Sequence, residues 1–101
     1  MKEKIIKFEK GPRDKKYTVY VKDIKTKKIR KINFGDKNYE QFKDSTPLHL
    51  YKNKNHLTKK RRDNYFLRHS GIKNKTLAVK KEKIKSRGYY NAKILSHIYL
   101  W

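Results

Sequence analysis

Cysteine is absent from the 101 residues, so the chain can build neither a disulfide framework nor a thiolate metal site, and nothing in it calls for an oxidising compartment. Long apolar runs are absent as well. The opening MKEKIIKFEK has a basic start, but no stretch reaches the roughly 7 apolar residues of a signal-peptide core or the roughly 18 of a membrane span. The expectation is a protein that is neither secreted nor membrane-spanning. Glycine occurs four times and proline twice, and no phosphate-cradling glycine loop, nucleophile elbow or metal-binding helix motif is present. An enzyme would need a site of unrecognised type, so the chain reads as non-enzymatic and without a cofactor.

Acidic residues are also scarce. Nine Asp and Glu face thirty Lys and Arg, for a formal charge of +21. Cations at that density repel one another and oppose compaction until phosphates or acidic protein surfaces neutralise them, so the charge speaks of a polyanionic partner. It is unevenly spread: residues 51–87 carry 14 cations and 2 anions, residues 88–101 only Lys93. The middle is the electropositive segment and the end the apolar one. At 35% hydrophobic residues with eight Tyr, the chain is too apolar for a disordered tail and thin for a self-sufficient core.

Alternation in YTVYVKD puts Tyr17, Val19 and Val21 on one face of a strand, and IRKINF does the same for Ile32 and Phe34. DIKTKK between them is a polar hairpin loop. Ile6 and Phe8 ahead of Gly11-Pro12 suggest a third strand. FGDKNYEQFKDSTP, with Tyr39 and Phe42 three apart, fits one helical turn or an extended edge. A helix follows from Thr58, its cap, to Ser70-Gly71, with Tyr65, Phe66 and Leu67 as its apolar face. After a Lys-rich connection, Asn91 caps a second helix whose Ile94, Leu95, Ile98 and Trp101 form a buried stripe that docks on the sheet. The fold expected is therefore α+β: a small single domain with an N-terminal antiparallel β-hairpin or three-stranded sheet packed by two short C-terminal helices. Residues 1–16 read as a basic arm or edge strand, and residues 17–101 as the domain.

The segments YTVYVKD, INFGDKNYEQFKDSTPLHLY, KKRRDNYFLRHSGIKNK and GYYNAKILSHIYLW, in that order, resemble a family of short, basic, poorly characterised proteins of large DNA viruses and phages. The resemblance spans residues 17–101. It departs where the family has an acidic pair before its Arg-Arg, here Leu57 and Thr58, and in a longer final segment. It implies a viral origin, a place in or near the virion or the infected cell's cytoplasm or nucleus, and no particular biochemical activity.

Lys59, Lys60, Arg61 and Arg62 occupy the first turn of the helix from Thr58, where cations oppose the positive end of the helix dipole and an anion would compensate. A phosphate there meets guanidiniums and free backbone N–H groups together. Arg61, Tyr65 and Arg68 share one stripe of that helix, with His69 on the next, and Lys73 and Lys75 follow. These nine residues are the candidate nucleic-acid site, DNA ranking ahead of RNA. Tyr residues among the lysines, Tyr20 and Tyr65 included, can stack on unpaired bases or fill a core. Four His lack metal-ligand spacing, and no metal site is expected. Asp36, Glu40 and Asp44, spaced by four, would line one face of a helix and read as internal salt-bridge partners. The function expected is phosphate-directed nucleic-acid binding with little sequence specificity. The alternative is a minor capsid protein whose cations pair with acidic viral structural proteins. A Mg²⁺-dependent nuclease, with His69 or His56 beside a carboxylate, is a third possibility.

Overall fold

The alternation in YTVYVKD is used as a strand uses it. Tyr17, Val19 and Val21 turn to one side and are fully buried, together with Phe34 of the next strand. The computed structural model describes residues 1–101, and in it β1 (Glu3–Lys10), β2 (Lys15–Asp23) and β3 (Ile29–Asp36) form one antiparallel sheet in that order. The β2–β3 hairpin is closed by Asp23, whose Oδ1 accepts the N–H groups of Lys25 and Thr26 at 2.8 Å each. That Asx turn supplies the turn chemistry in place of an Asn-Gly pair.

β1 is an edge strand with one irregularity. Ile5 pairs with Val21 and Phe8 with Val19, so two residues, Ile6 and Lys7, oppose Tyr20 alone. The bulge resets the phase of the strand: Ile5 and Phe8 pack on the core while Ile6 stays exposed. The alternation of Ile6 with Phe8 is thereby corrected to Ile5 with Phe8.

Residues 37–58 form no helical turn around Tyr39 and Phe42; their regular structure is one isolated bridge, Gln41 to Asn55, and a short 3-10 turn at Lys52–Lys54. Buried polar side chains hold this segment alongside a few backbone bonds, such as His56 N–H to the Gln41 carbonyl. Asp44 accepts from the Tyr17 hydroxyl, from Thr46 through N–H and Oγ1, and from the Tyr51 N–H. Gln41 donates to the Tyr51 carbonyl and Asn55 Oδ1 and accepts from the buried Lys16 ammonium. With no helix here, Asp36, Glu40 and Asp44 share no face.

Three helices follow: α1 (Lys59–Ser70), α2 (Lys75–Lys85) and α3 (Ala92–Tyr99). The α+β class and the sheet are as expected, and α2 is an additional helix in what read as a connection. Thr58 precedes α1 but does not cap it; its hydroxyl donates to the His56 carbonyl. Gly71, at φ 70°, stops the helix as a left-handed residue, its N–H reaching the Leu67 carbonyl. Asn74 and Asn91 do cap α2 and α3, accepting the N–H of Leu77 at 3.0 Å and of Ile94 at 2.8 Å.

Leu95 of α3 and Leu100 just beyond it close over the sheet side chains. Each such buried side chain contributes about 1.5–3 kcal/mol. A second, smaller cluster joins Tyr65, Phe66 and Ala78 from α1 and α2, with Trp101 against it. Leu67 points outward, 47% exposed, so the inward face of α1 is narrower than the run Tyr65–Leu67. Gly35 marks the join between sheet and C-terminus: its φ is 79°, and an added Cβ would come within 2.9 Å of Leu100 Cδ1.

Candidate nucleic-acid interface

No side chain caps α1 and no acid lies in its first turn, so Lys59 and Lys60 stand exposed at a bare positive helix end. Their two neighbours are differently engaged. Arg61 Nη1 donates to Glu40 Oε1 at 2.9 Å, and the Arg62 guanidinium lies over the Phe42 ring, 4.4 Å from its centroid. Glu40 and Phe42 reach this helix start from the irregular segment. A phosphate at the helix start would therefore compete with Glu40 for Arg61.

Tyr65 is not on the surface. Its ring stacks on Trp101 with centroids 4.3 Å apart and planes within 3°, and it is 7% exposed. The stripe expected to run Arg61–Tyr65–Arg68 is thus interrupted by a core residue, because Trp101 returns from the chain's end to cover it. The Tyr65 hydroxyl lies 2.9 Å from His97 Nδ1, His97 Nε2 lies 2.8 Å from Ser70 Oγ, and Ser70 Oγ donates to Glu82 Oε2 at 2.9 Å. With the imidazole proton on Nε2, every group is satisfied: Tyr65 donates to His97, His97 to Ser70, Ser70 to Glu82. Ser70 gives its proton to a carboxylate and receives one from the imidazole, the reverse of an activated nucleophile. Burial holds the His97 ring neutral, with its pKa pushed down to about 4. The chain of bonds ties α1, α2 and α3 together.

Cations converge at α2. A groove of about 950 Å³ runs along this helix, with Lys75, Lys80, Lys83 and Arg87 from its own face and its C-terminal turn and Lys2 from the N-terminus. Val79, Ile84, Ile98 and Met1 supply its apolar parts, and no carboxylate lines it. Positions 76, 80 and 83 fall on one side of α2, with Arg87 just past its end at φ 57°, while Ala78 and Glu82, on the other side, are buried. The groove continues past Lys75 and Thr76 into a polar recess at the start of α2 lined by Arg62, Asp63, Lys73 and Asn74. Lys75 donates to the Ile98 carbonyl at 3.1 Å, and burial, then the charge of Arg62, lowers its pKa. An anion placed there relieves that repulsion.

The nine candidate residues thus fall into separate places. Arg62, Lys73 and Lys75 meet at the start of α2. Lys59 and Lys60 stand at the start of α1. Arg68 and His69 line another cleft, with Lys15, Lys16, Lys93, Asp36 and Glu40. Burial, then Arg68 and Lys93, lowers the His69 pKa. Lys2, Lys80, Lys83 and Arg87 belong to the groove without having been singled out. For Lys80 and Lys83 the signal was their helical spacing, legible only once a helix is placed over residues 75–85; Lys2, from the N-terminus, and Arg87, beyond the helix end, carried none. The other histidines are engaged elsewhere: His49 Nδ1 lies 3.2 Å from the Asp44 carbonyl, and His56 packs between Phe42 and Trp101. No three His, Asp or Glu side chains converge to hold a metal ion. No helix is long and apolar enough to cross a membrane.

Fold and groove together define a small α+β protein with a cationic groove on its helical side, without a carboxylate along α2 and with Asp63 in the recess where it ends. No family model, no curated protein and no solved structure matches the chain.

Proposed function

We propose that this protein binds nucleic acid through backbone phosphates, using the α2 groove and the adjoining starts of α1 and α2, with little sequence preference. The observation that carries this is the groove itself: five cations converge on it and no acid lines it. Of the thirty Lys and Arg, five have an acidic partner within salt-bridge distance, and of these only Arg61 belongs to the first turn of α1 and none to the groove. Such cations act by releasing counterions from the phosphate backbone, which carries affinity without reading bases. The resemblance to short basic proteins of large DNA viruses and phages supports a viral setting, in or near the virion, and favours DNA over RNA.

The test is fluorescence anisotropy of labelled DNA and RNA over a salt series. Lys80→Ala/Lys83→Ala/Arg87→Ala should weaken binding and flatten the salt slope by about 0.9 for each phosphate contact removed. Arg61→Ala/Arg62→Ala should weaken it less, since Glu40 and Phe42 already hold those side chains. A shallow slope unchanged by the triple substitution refutes the proposal. One observation favours a second reading. Leu77 and Ile84 stay 53% and 69% exposed beside the lysines of α2, a mixture suited to burial against an acidic protein surface. The partner would then be an acidic viral structural protein, and binding would depend on Leu77 and Ile84 as much as on the cations.

A further inference from the structure

α3 is the helix that packs on the sheet, over the side carrying Tyr17, Val19, Val21 and Phe34. No helix packs on the opposite side of the sheet; at one end of it Lys16 is buried against Tyr39 and Gln41, and Thr18 is buried beside it. At its centre, on the middle strand, lies Tyr20, paired across the strands with Lys7 of β1 and Lys31 of β3. Both ammonium groups lie over its ring, at 5.2 and 5.6 Å from the centroid. The Tyr20 hydroxyl donates to Glu9 Oε2 at 2.9 Å, which fixes the ring's position, and Glu9 Oε1 pairs with Lys7 at 2.7 Å, so Lys31 is the cation over the ring without an acidic partner. Lys4 and Lys22, paired with each other, extend the positive charge along the strands.

We infer that this bare sheet face is a second nucleic-acid contact, a stacking site for an unpaired base of a single strand. The inference rests on the phosphate-binding reading and adds to it the kind of nucleic acid preferred. A base offers the Tyr20 ring a flat partner; Lys31, one strand away, then turns from the ring to a phosphate flanking that base, and Lys7 does so on the other side by exchanging Glu9 for a phosphate. Stacking of this kind is indifferent to sequence, because every base has a π-face. A duplex conceals its base faces, so this site separates single strands from duplexes where the α2 groove does not. The bulge at Ile6 contributes directly: it brings Lys7 opposite Tyr20, where an unbroken register would place Ile6.

The test compares wild type, Tyr20→Leu and Tyr20→Phe by anisotropy on a single-stranded oligonucleotide and on its duplex, with circular dichroism melts to establish folding. Tyr20→Leu should lose about tenfold or more of single-strand affinity while duplex binding is unchanged. Tyr20→Phe, which keeps the ring, should bind as wild type does. Equal single-strand affinity for Tyr20→Leu and wild type overturns the stacking site, and so does an equal loss on both nucleic acids. Should Tyr20→Leu fail to fold, 2-aminopurine in the single strand decides: quenching on binding to wild type and Tyr20→Phe supports the site, and a bound but unquenched probe overturns it. In either overturning case the groove reading survives if Lys80→Ala/Lys83→Ala/Arg87→Ala still weakens duplex binding. Absence of all binding by wild type overturns both.

Discussion

Between pH 7 and pH 5 the fold should lose about 2 kcal/mol through His97 alone. The ring is fully buried, with Tyr65 at one nitrogen and Ser70 at the other. Burial chiefly sets its pKa, down to about 4 from an ordinary 6.5; Glu82 pulls upward, and His69, Lys93 and Lys75 push further down. Because the folded value lies below the unfolded one, the unfolded chain takes the proton first. The stabilisation is whole above pH 6.5 and is lost as pH falls through that value towards 4. At about 1.4 kcal/mol per pH unit, the full gap is worth about 3 kcal/mol below pH 4, of which about 2 kcal/mol is gone by pH 5. Urea unfolding at both pH values, for wild type and His97→Gln, isolates the effect. His56 and His69, whose values are also lowered, act in both proteins and cancel in the difference. The variant should lose about 2 kcal/mol less than wild type over this window. Parallel pH dependences would refute the argument and place the acid sensitivity elsewhere.

Asp44→Asn should cost about 2–3 kcal/mol in urea unfolding, since it turns one acceptor oxygen into a donor facing either the Tyr51 N–H and Tyr17 hydroxyl or the Thr46 N–H and hydroxyl in a buried site; a loss under half of that would show the segment 37–58 to be held by other contacts. Gly35→Ala should lower stability by about 2 kcal/mol or more, because its φ of 79° and the 2.9 Å approach to Leu100 Cδ1 penalise a Cβ together; a neutral result in a thermal melt would count against this close packing. Leu57 is 59% exposed at φ 55°, a conformation that Asn tolerates better, so Leu57→Asn should raise the unfolding free energy by about 0.5–1 kcal/mol. A lower melting temperature for Leu57→Asn would contradict it.

The strands were legible because β2 and β3 carry their apolar residues on one face, so Tyr17, Val19, Val21 and Phe34 recur with period two. α3 was legible because apolar Ile94 and Leu95 follow an Asn cap and are buried; its third buried residue is the polar His97, and Ile98 and Trp101 of the expected stripe are only half-buried. α2 obeys no such pattern. Its buried residues are Ala78 and Glu82, while its large apolar residues Leu77 and Ile84 point out, so a reading that equates apolar with inward finds no helix. Missing α2 also hid the groove. Lys75, Lys80, Lys83 and Arg87 become neighbours only once that helix exists. The error at Tyr65 has a different origin: local spacing placed it correctly on α1, and the side chain that removes it from the surface, Trp101, arrives from the opposite end of the chain. The bulge in β1 was illegible for a related reason, since only its pairing with β2 shows that Ile5, and not Ile6, shares a face with Phe8.

How so basic a chain folds is answered by where its few carboxylates go. Glu3, Asp44 and Glu82 are buried, and each ties distant segments: Glu3 holds Arg30 and the Tyr90 N–H, Asp44 fastens the 37–58 segment to Tyr17, and Glu82 joins α2 to Ser70 on α1. Arg30's bond is the largest influence on Glu3 and keeps its pKa below the usual carboxylate range; in Asp44, bonds from Thr46, Tyr17 and Tyr51 together outweigh burial to the same end. Glu9 braces Tyr20, Glu40 takes Arg61, and Asp23 and Asp36 accept backbone N–H groups in turns. Acids buried at internal joints are not available to neutralise the surface, where Glu9 pairs with Lys7 and Glu40 with Arg61 but most cations have no acidic partner. The same allocation that organises the interior therefore leaves the α2 groove and the bare sheet face positive, and a folded state that repels itself gains stability from any polyanion that binds it.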